Sequence, residues 1–157
     1  MDRTWVLPVL AVVTVACGDP RLNFAGTWKG ASKTIVRFSD GSSATYPHGE
    51  ATVIISAPER SNLITFNGKC GMTATVNDDR TFTFNKRACP LERVSFPSGS
   101  GTSTISCDLV ETVNGGTGTR ATTSLSMSYF GDSQLARCTD GLNDLASYTS
   151  ELTLTQQ

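Results

Sequence analysis

Hydrophobic residues recur at every second position through most of the chain, which is the spacing of a β-strand with one buried face. Ser and Thr fill many of the alternate positions, so the outer faces would be polar without carrying many charges. The sets that we expect to face the core are Ala51, Val53 and Ile55; Met72, Ala74 and Val76; Phe82 and Phe84; Val94 and Phe96; Leu125, Met127 and Tyr129; and Leu152 and Leu154. This pattern predicts an all-β domain.

Turn-forming residues separate these runs. Clear examples are Asp40-Gly41, Asn67-Gly68, Asn77-Asp78-Asp79 and Asn114-Gly115-Gly116. About eight strands fit between such turns, at spacings typical of a single small antiparallel β-barrel or sandwich. Leucines in residues 132–146 have a loosely helical spacing that Gly141 interrupts. We therefore expect at most one short helix, and that near the C-terminus.

The first 16 residues have the pattern of an export signal. A basic start at Arg3 precedes an apolar run over residues 5–16, which is shorter than the roughly 20 residues that a membrane-spanning helix needs. Pro8 within the run further disfavours a permanent helix. We expect residues 1–16 to be a lipoprotein signal peptide, residues 17–23 to be a lipidated tether, and residues 24–157 to form one β domain.

The end of the signal, Thr14-Val15-Ala16-Cys17, resembles the lipobox of bacterial lipoproteins. In that family the Cys carries acyl chains and becomes the mature N-terminus, so the resemblance implies lipidation of Cys17 and anchoring in the bacterial cell envelope. Gly18, rather than Asp, follows Cys17, which favours the outer membrane by analogy. Thr14 departs from the usual aliphatic residue, and an ordinary small-x-small cleavage site would cut at the same bond. That alternative is a soluble secreted protein with a spare thiol.

The cysteine count favours lipidation. If Cys17 carries lipid, an even set of cysteines remains in the mature chain: Cys70, Cys89, Cys107 and Cys138. Outside the cytoplasm, four such cysteines are expected to form two disulfides.

Four cysteines allow three pairings, and strand register favours one of them. If Val76 lies opposite Phe82 in a hairpin, Cys70 lies one residue out of register with Cys89, an offset that a β-bulge could absorb. We therefore expect Cys70–Cys89 to close this hairpin, with Cys107–Cys138 as the second disulfide.

The segment Phe24-Ala25-Gly26-Thr27-Trp28 resembles the Gly-x-Trp opening of lipocalin-like (calycin) β-barrels. In that family the motif lies on the first strand and the Trp seals the floor of the barrel. The resemblance implies an eight-stranded barrel whose interior holds either packed side chains or one small ligand. A second family motif, a Thr-Asp-Tyr-like turn, is poorly matched by Thr139-Asp140-Gly141. The alternative is that Trp28 is simply a core residue at the start of a strand.

The distribution of charge argues against nucleic acid as a partner. The chain carries 13 basic and 14 acidic residues, for a net charge of −1, and neither sign forms a long run. A nucleic-acid-binding surface needs clustered positive charge, so we expect no nucleic-acid partner. Hydrophobic residues make up 38% of the chain, which is somewhat low. The core should therefore be modest, and disulfides would help to stabilise it.

Catalytic chemistry has little support in the sequence. The one histidine, His48, lies in Tyr46-Pro47-His48-Gly49-Glu50, where Pro and Gly suggest an exposed turn. Nucleophilic catalysis needs such a base beside an activated nucleophile, and no Ser has the context of a nucleophile elbow. The cysteines lack the spacing of zinc ligands, and Asp78-Asp79 lacks the pattern of a calcium loop. We expect a non-enzymatic domain with no metal and no cofactor.

Three functional hypotheses therefore differ in what the interior should contain. The first is an envelope lipoprotein with a non-enzymatic binding or structural β domain that contacts a protein partner, which predicts a filled core and an exposed apolar patch. The alternative is a carrier of a small apolar ligand, which predicts a roomy apolar cavity. An enzyme would place His48 or a cluster of carboxylates in a cleft.

Overall fold

The structure, a computed structural model, describes residues 18–59, 61–68, 70–97 and 104–157. The signal-peptide and lipidation predictions for residues 1–17 lie outside these ranges. Within them the chain forms one 3₁₀ helix, Pro20–Asn23, and ten strands. The strands are β1 (Gly26–Phe38), β2 (Ser43–Ser56), β3 (Leu63–Phe66), β4 (Thr73–Val76), β5 (Thr81–Phe84), β6 (Arg87–Ala88), β7 (Glu92–Pro97), β8 (Thr104–Arg120), β9 (Ser124–Ala136) and β10 (Asp144–Gln156). The all-β prediction is confirmed.

Eight of the described strands follow one another around a ring. Each of β1 to β4 pairs with the next strand, β5 pairs with β8, and β8, β9 and β10 lead back to β1, all antiparallel. The closing contact is short: residues 81–83 of β5 lie opposite residues 117–119 of β8. Strands β6 and β7 pair with the remaining length of β8. The result is a partly closed barrel.

One end of the barrel is filled by inward-facing side chains, which include the predicted Phe82 and Phe84 and also Phe24, Ile64 and Phe66, which the alternating sets did not contain. Phe82 lies at the centre, with its ring centroid 5.2 Å from that of Phe24 and 5.3 Å from that of Phe84, both edge to face. The buried cluster at this end also includes Ile55, Ile64, Phe66, Ala74, Leu125 and Leu154. Alternation along the strands thus places one face of nearly every strand in a common core.

Trp28 lies at this packed end and is fully buried. It is the third residue of β1 and lies opposite Val53 of β2 and Gln156 of β10. Its indole Nε1 donates a hydrogen bond to the Phe24 carbonyl oxygen over 2.8 Å, which satisfies the one polar group of the side chain. Trp28 is therefore a core residue at the packed end of the barrel, as both the lipocalin-like resemblance and its alternative predict.

Gly118 on β8 is required by the packing of Phe82. A Cβ atom at this position would lie 2.0 Å from Cζ of the Phe82 ring. The ring is itself held by the surrounding phenylalanines, so it has no space into which it could move. Glycine here lets β8 approach the aromatic core closely.

Both disulfides join the cysteines that register favoured. Val76 lies opposite Phe82, as expected, and Cys70 is bonded to Cys89 with a Cα–Cα distance of 4.5 Å. Cys107 is bonded to Cys138 with a Cα–Cα distance of 4.1 Å. Because disulfides persist in oxidising compartments, the two bonds indicate an extracytoplasmic environment.

Residues 132–146, whose leucines have a loosely helical spacing, form no helix. Residues 132–136 continue β9, a turn follows, and residues 144–146 begin β10. Gly141 has a φ of +80° in that turn, where glycine is favoured. Register pairs join β9 to β10 from Leu135 opposite Asp144 to Ser124 opposite Thr155, and this long-range pairing overrides the weak helical spacing.

The segment assigned to the tether is partly folded onto the barrel. Pro20 begins the 3₁₀ helix, and Asp19 caps it by accepting a hydrogen bond from the Arg21 backbone N–H over 3.0 Å. The Arg21 guanidinium donates through Nη1 to the Pro58 carbonyl oxygen over 2.9 Å. The folded part therefore begins before residue 24. Among the described residues, no helix has the length and apolar character needed to cross a membrane.

Candidate functional site

A cavity of about 500 Å³ occupies the barrel interior at the end away from Trp28. Its floor consists of the buried side chains of Phe66, Met127 and Leu152, which also border the packed core. Its rim includes the exposed residues Tyr46 and His48. The cavity thus runs from an apolar floor to a polar, solvent-exposed mouth.

A bulge in β2 shapes this mouth. Ser32 of β1 lies opposite Gly49, but the next residue, Lys33, lies opposite Pro47, so His48 is the extra residue. A one-residue shift exchanges the two faces of a strand. Val53 faces inward on one side of the bulge and Tyr46 lines the cavity on the other. His48 therefore lies within a strand and lines the cavity, which corrects its assignment to an exposed turn.

One polar wall of the cavity is a hydrogen-bonded chain of three side chains. His48 Nε2 lies 2.9 Å from Thr34 Oγ1, which lies 2.8 Å from Ser150 Oγ. Ser150 is buried, and the Thr34 hydroxyl supplies it with a partner. A histidine beside a hydroxyl meets one requirement of nucleophilic catalysis. However, Thr34 pairs with both neighbouring strands, so the backbone around it serves the sheet rather than an oxyanion site.

A second polar wall adjoins the first, since Tyr129 lies opposite Ser150 in the pairing of β9 with β10. It carries Glu111 of β8, Ser133 and Tyr129 of β9, and Tyr148 of β10. The Tyr148 hydroxyl makes a long hydrogen bond of 3.5 Å to the Thr112 carbonyl oxygen. The rings of Tyr129 and Tyr148 are nearly perpendicular, with centroids 6.4 Å apart.

Gly131 of β9 makes room for the Tyr148 phenol. It lies opposite Tyr148 in the sheet, and a Cβ there would lie 2.8 Å from the phenol oxygen. Burial raises the pKa of the Tyr148 phenol well above its usual value, and the nearby carboxylate of Glu111 raises it further. The phenol therefore stays protonated at ordinary pH.

The Cys70–Cys89 disulfide forms part of the cavity wall. It lines the main cavity and also a shallower depression of about 470 Å³, whose other lining residues include Pro90, Leu91 and Glu111. This disulfide therefore lies between the cavity inside the barrel and the depression beside it. Its loss would be expected to alter the shape of the cavity.

The second disulfide and Asp108 lie outside this cavity lining. Asp108 is buried and forms ion pairs with Arg93 at 2.8 Å and Arg137 at 2.5 Å. The hydrogen bond from Arg93 lowers the pKa of the Asp108 carboxyl, against the opposing effect of burial, and the charge of Arg137 lowers it further. This group thus serves the structure of β7 and β8.

Asp78, which the sequence assigned to a turn by default, caps the hairpin between β4 and β5. Its Oδ1 accepts hydrogen bonds from the backbone N–H groups of Arg80 and Thr81 over 2.8 and 2.7 Å. The hydrogen bonds that Asp78 accepts from Thr81 and Arg80 lower the pKa of its carboxyl. In the described ranges, no group of three or more His, Cys, Asp or Glu residues is placed to hold a metal ion.

The sequence found part of this site. Val53, Met127, Tyr129 and Leu152 belong to the alternating sets expected to face the core. Glu111 and Tyr148 were missed as cavity residues, although alternation along β8 and β10 would have placed them on the inward face. Comparison with known protein families, with curated proteins and with solved structures finds no match for this chain.

Proposed function

We propose that this protein is an exported, lipid-anchored protein of the bacterial cell envelope whose β domain binds a small, mostly apolar ligand inside the barrel. The observation that carries the proposal is the cavity of about 500 Å³ with its buried apolar floor. Small-molecule sites are commonly cavities of about 300–1,000 Å³ with apolar walls and a few polar groups. The resemblance of Gly26-Thr27-Trp28 to lipocalin-like barrels points the same way.

The apolar floor supplies the driving force for binding. Each buried CH₂ group of a ligand contributes about 0.8 kcal/mol, so an eight-carbon chain gains about 6 kcal/mol before the costs of association. Such a gain corresponds to a Kd of about 20–40 μM at best. We therefore expect dissociation constants of tens of micromolar or weaker for simple apolar probes, with tighter binding of a ligand that also satisfies the polar walls.

The anchor would hold the barrel close to the membrane surface. Cys17 is separated from the docked 3₁₀ helix by only Gly18 and Asp19. A lipid on Cys17 would then leave a very short tether between the membrane and the folded domain. Multiple acyl chains on one cysteine give the stable attachment that a single chain does not.

Filling the cavity should abolish binding without unfolding the protein. We expect Val53→Trp, which places a large side chain in the cavity, to weaken binding of N-phenyl-1-naphthylamine by at least about tenfold, measured by fluorescence titration. Ile54→Trp is the matched control, because Ile54 is the next residue on the same strand and is 44% exposed on the outer face. The control should bind the probe as the wild type does.

The stability of Val53→Trp and Ile54→Trp also tests whether the cavity is empty. Because the introduced indole would enter an empty volume, Val53→Trp should leave the unfolding free energy unchanged within about 1 kcal/mol, whereas overfilling a packed core typically costs about 1–3 kcal/mol. Clear destabilisation together with unaltered probe binding would contradict a ligand cavity at this place.

Removing the lipid acceptor should release the protein from membranes. We expect Cys17→Ser to move the exported protein from the membrane fraction to the soluble fraction, and to remove the acyl mass from its N-terminal peptide. Thr14→Leu, which brings the leader closer to the lipobox pattern, should remain membrane-bound. Membrane association of Cys17→Ser, or a wild-type N-terminus without acyl groups by mass spectrometry, would contradict the anchoring.

A further inference from the structure

The two polar walls of the cavity differ in hydrogen-bonding capacity. On one side, the side chains of Thr34, His48 and Ser150 bond to one another, so much of their capacity is used within the wall. The other wall offers mainly acceptors. Which ligand groups this wall can bind therefore depends on the hydrogen-bonding atoms of Glu111 and Tyr148.

At Tyr148 and Glu111, the second wall presents hydrogen-bond acceptors rather than donors to the cavity. Tyr148 has a single hydroxyl proton, which is directed to the Thr112 carbonyl oxygen, so its phenol oxygen is left as an acceptor. The Glu111 carboxylate is an acceptor only, and its two oxygens have about four lone-pair sites, so it can accept from a ligand in addition to its partners within the protein. A ligand group that carries N–H bonds would complement both residues, whereas a carboxylate would be repelled by Glu111.

Two aromatic residues of the cavity lining add a second preference for positive charge. Tyr129 and Tyr148 meet at 85°, which forms a corner of two ring walls, and both line the cavity. The faces of aromatic rings attract cations electrostatically, most strongly where water is excluded. Phe66 and Tyr46 bring the described aromatic lining to four side chains.

The charges among the cavity-lining side chains agree with this preference. Glu111 is among the lining residues, and the described lining residues include neither Lys nor Arg; Arg87 is not a lining residue, although its Nε donates a hydrogen bond to the carbonyl oxygen of the lining residue Cys70 over 2.7 Å. Burial is the main cause of the raised pKa of the Tyr148 phenol, and the negative charges of Glu111 and, more weakly, Asp132 raise it further. The same negative potential that opposes a phenolate would attract a cationic ligand.

We infer that the ligand is a protonated amine on an apolar body, with the ammonium group bound by Glu111 beside Tyr148 and the body packed against Tyr129 and the floor formed by Met127 and Leu152. This inference rests on the proposed ligand-binding function and specifies the chemical class that the cavity selects. Glu111 supplies the countercharge, Tyr148 an oxygen acceptor, and the Tyr148 ring the cation–π contact.

Three probes that share one alkyl chain and differ only in the head group test the inference. Isothermal titration of the full mature domain with n-octylamine, 1-octanol and nonanoate at neutral pH isolates the head group, because all three carry the same eight-carbon alkyl chain. We expect octylammonium to bind at least about tenfold tighter than either of the other two. Glu111→Gln should weaken octylammonium binding by about tenfold and leave 1-octanol binding within about twofold.

The control is Glu50→Gln, which removes an exposed carboxylate on β2 that is not among the cavity-lining residues and should leave all three affinities unchanged. Equal binding of the three probes, or an amine preference that survives Glu111→Gln, would overturn the head-group assignment while leaving a ligand cavity in place. If none of the three binds, the proposed ligand-binding function fails together with this inference.

Discussion

Replacing Trp28 with alanine should lower the free energy of unfolding by about 3–5 kcal/mol. Trp28 is fully buried at the packed end of the barrel, where it contributes to the same core as Phe82 and Leu154. Removing the indole leaves a cavity that neighbours on several strands cannot all close. Because small domains are stable by only about 5–15 kcal/mol, the variant should be close to unfolding at body temperature.

Trp28→Phe separates the effect of the indole hydrogen bond from the effect of the side chain's volume. The Phe variant keeps an aromatic ring but leaves the Phe24 carbonyl oxygen without the Nε1 donor that lies 2.8 Å away, which should cost about 1–3 kcal/mol. Urea unfolding followed by far-ultraviolet circular dichroism measures both variants, since the method does not depend on tryptophan fluorescence. A loss below about 1 kcal/mol for Trp28→Ala would show that Trp28 does not close the barrel floor.

Removing either disulfide should be nearly as damaging. In the chain-entropy model, the loop of sequence separation 31 closed by Cys107–Cys138 is worth about 4 kcal/mol, and that of separation 19 closed by Cys70–Cys89 about 3 kcal/mol. We expect the double variants Cys107→Ala/Cys138→Ala and Cys70→Ala/Cys89→Ala to lose stability by about these amounts in urea unfolding.

Ligand binding should distinguish the two disulfides. Cys70–Cys89 lines the cavity, and Cys107–Cys138 is not among its lining residues. Loss of the first should therefore change the affinity for N-phenyl-1-naphthylamine even where the protein is folded, and loss of the second should not. Equal effects of the two double variants on affinity would mean that the disulfide wall has no part in binding.

Local patterns in the sequence were sufficient for the hairpin that carries the first disulfide. The alternation in Met72, Ala74 and Val76, the turn after them, and Phe82 opposite Val76 together set the position of Cys70 against Cys89. This worked because short hairpins are determined by their turn and by the two-residue period of their side chains. Part of the packed end of the barrel follows from the same alternation.

Features that depend on pairing between distant segments were not predictable in this way. The bulge at His48 arises from how β2 pairs with β1. The flanking Pro47 and Gly49, the latter with a φ of +67°, are compatible with a bulge as well as with a turn, so the sequence alone did not decide between them. The strands over residues 124–156 are long because each is paired on both sides, whereas the leucine spacing alone suggested a helical turn. The polar lining of the cavity could not be predicted, because it depends on the fold placing Glu111 of β8 and Tyr148 of β10 around the same space.

The open end of the barrel should bind an apolar ligand, and a titration of the mature domain with 1-octanol, followed by methyl-resolved NMR, reports where such a ligand binds. We expect saturable shifts of the methyl groups of Val53, Met127 and Leu152, which line the cavity, and much smaller shifts at Leu125 in the packed end. Saturable shifts confined to Val110 and Leu145, which are exposed outside the barrel, or no saturable shift at any methyl group, would contradict the account.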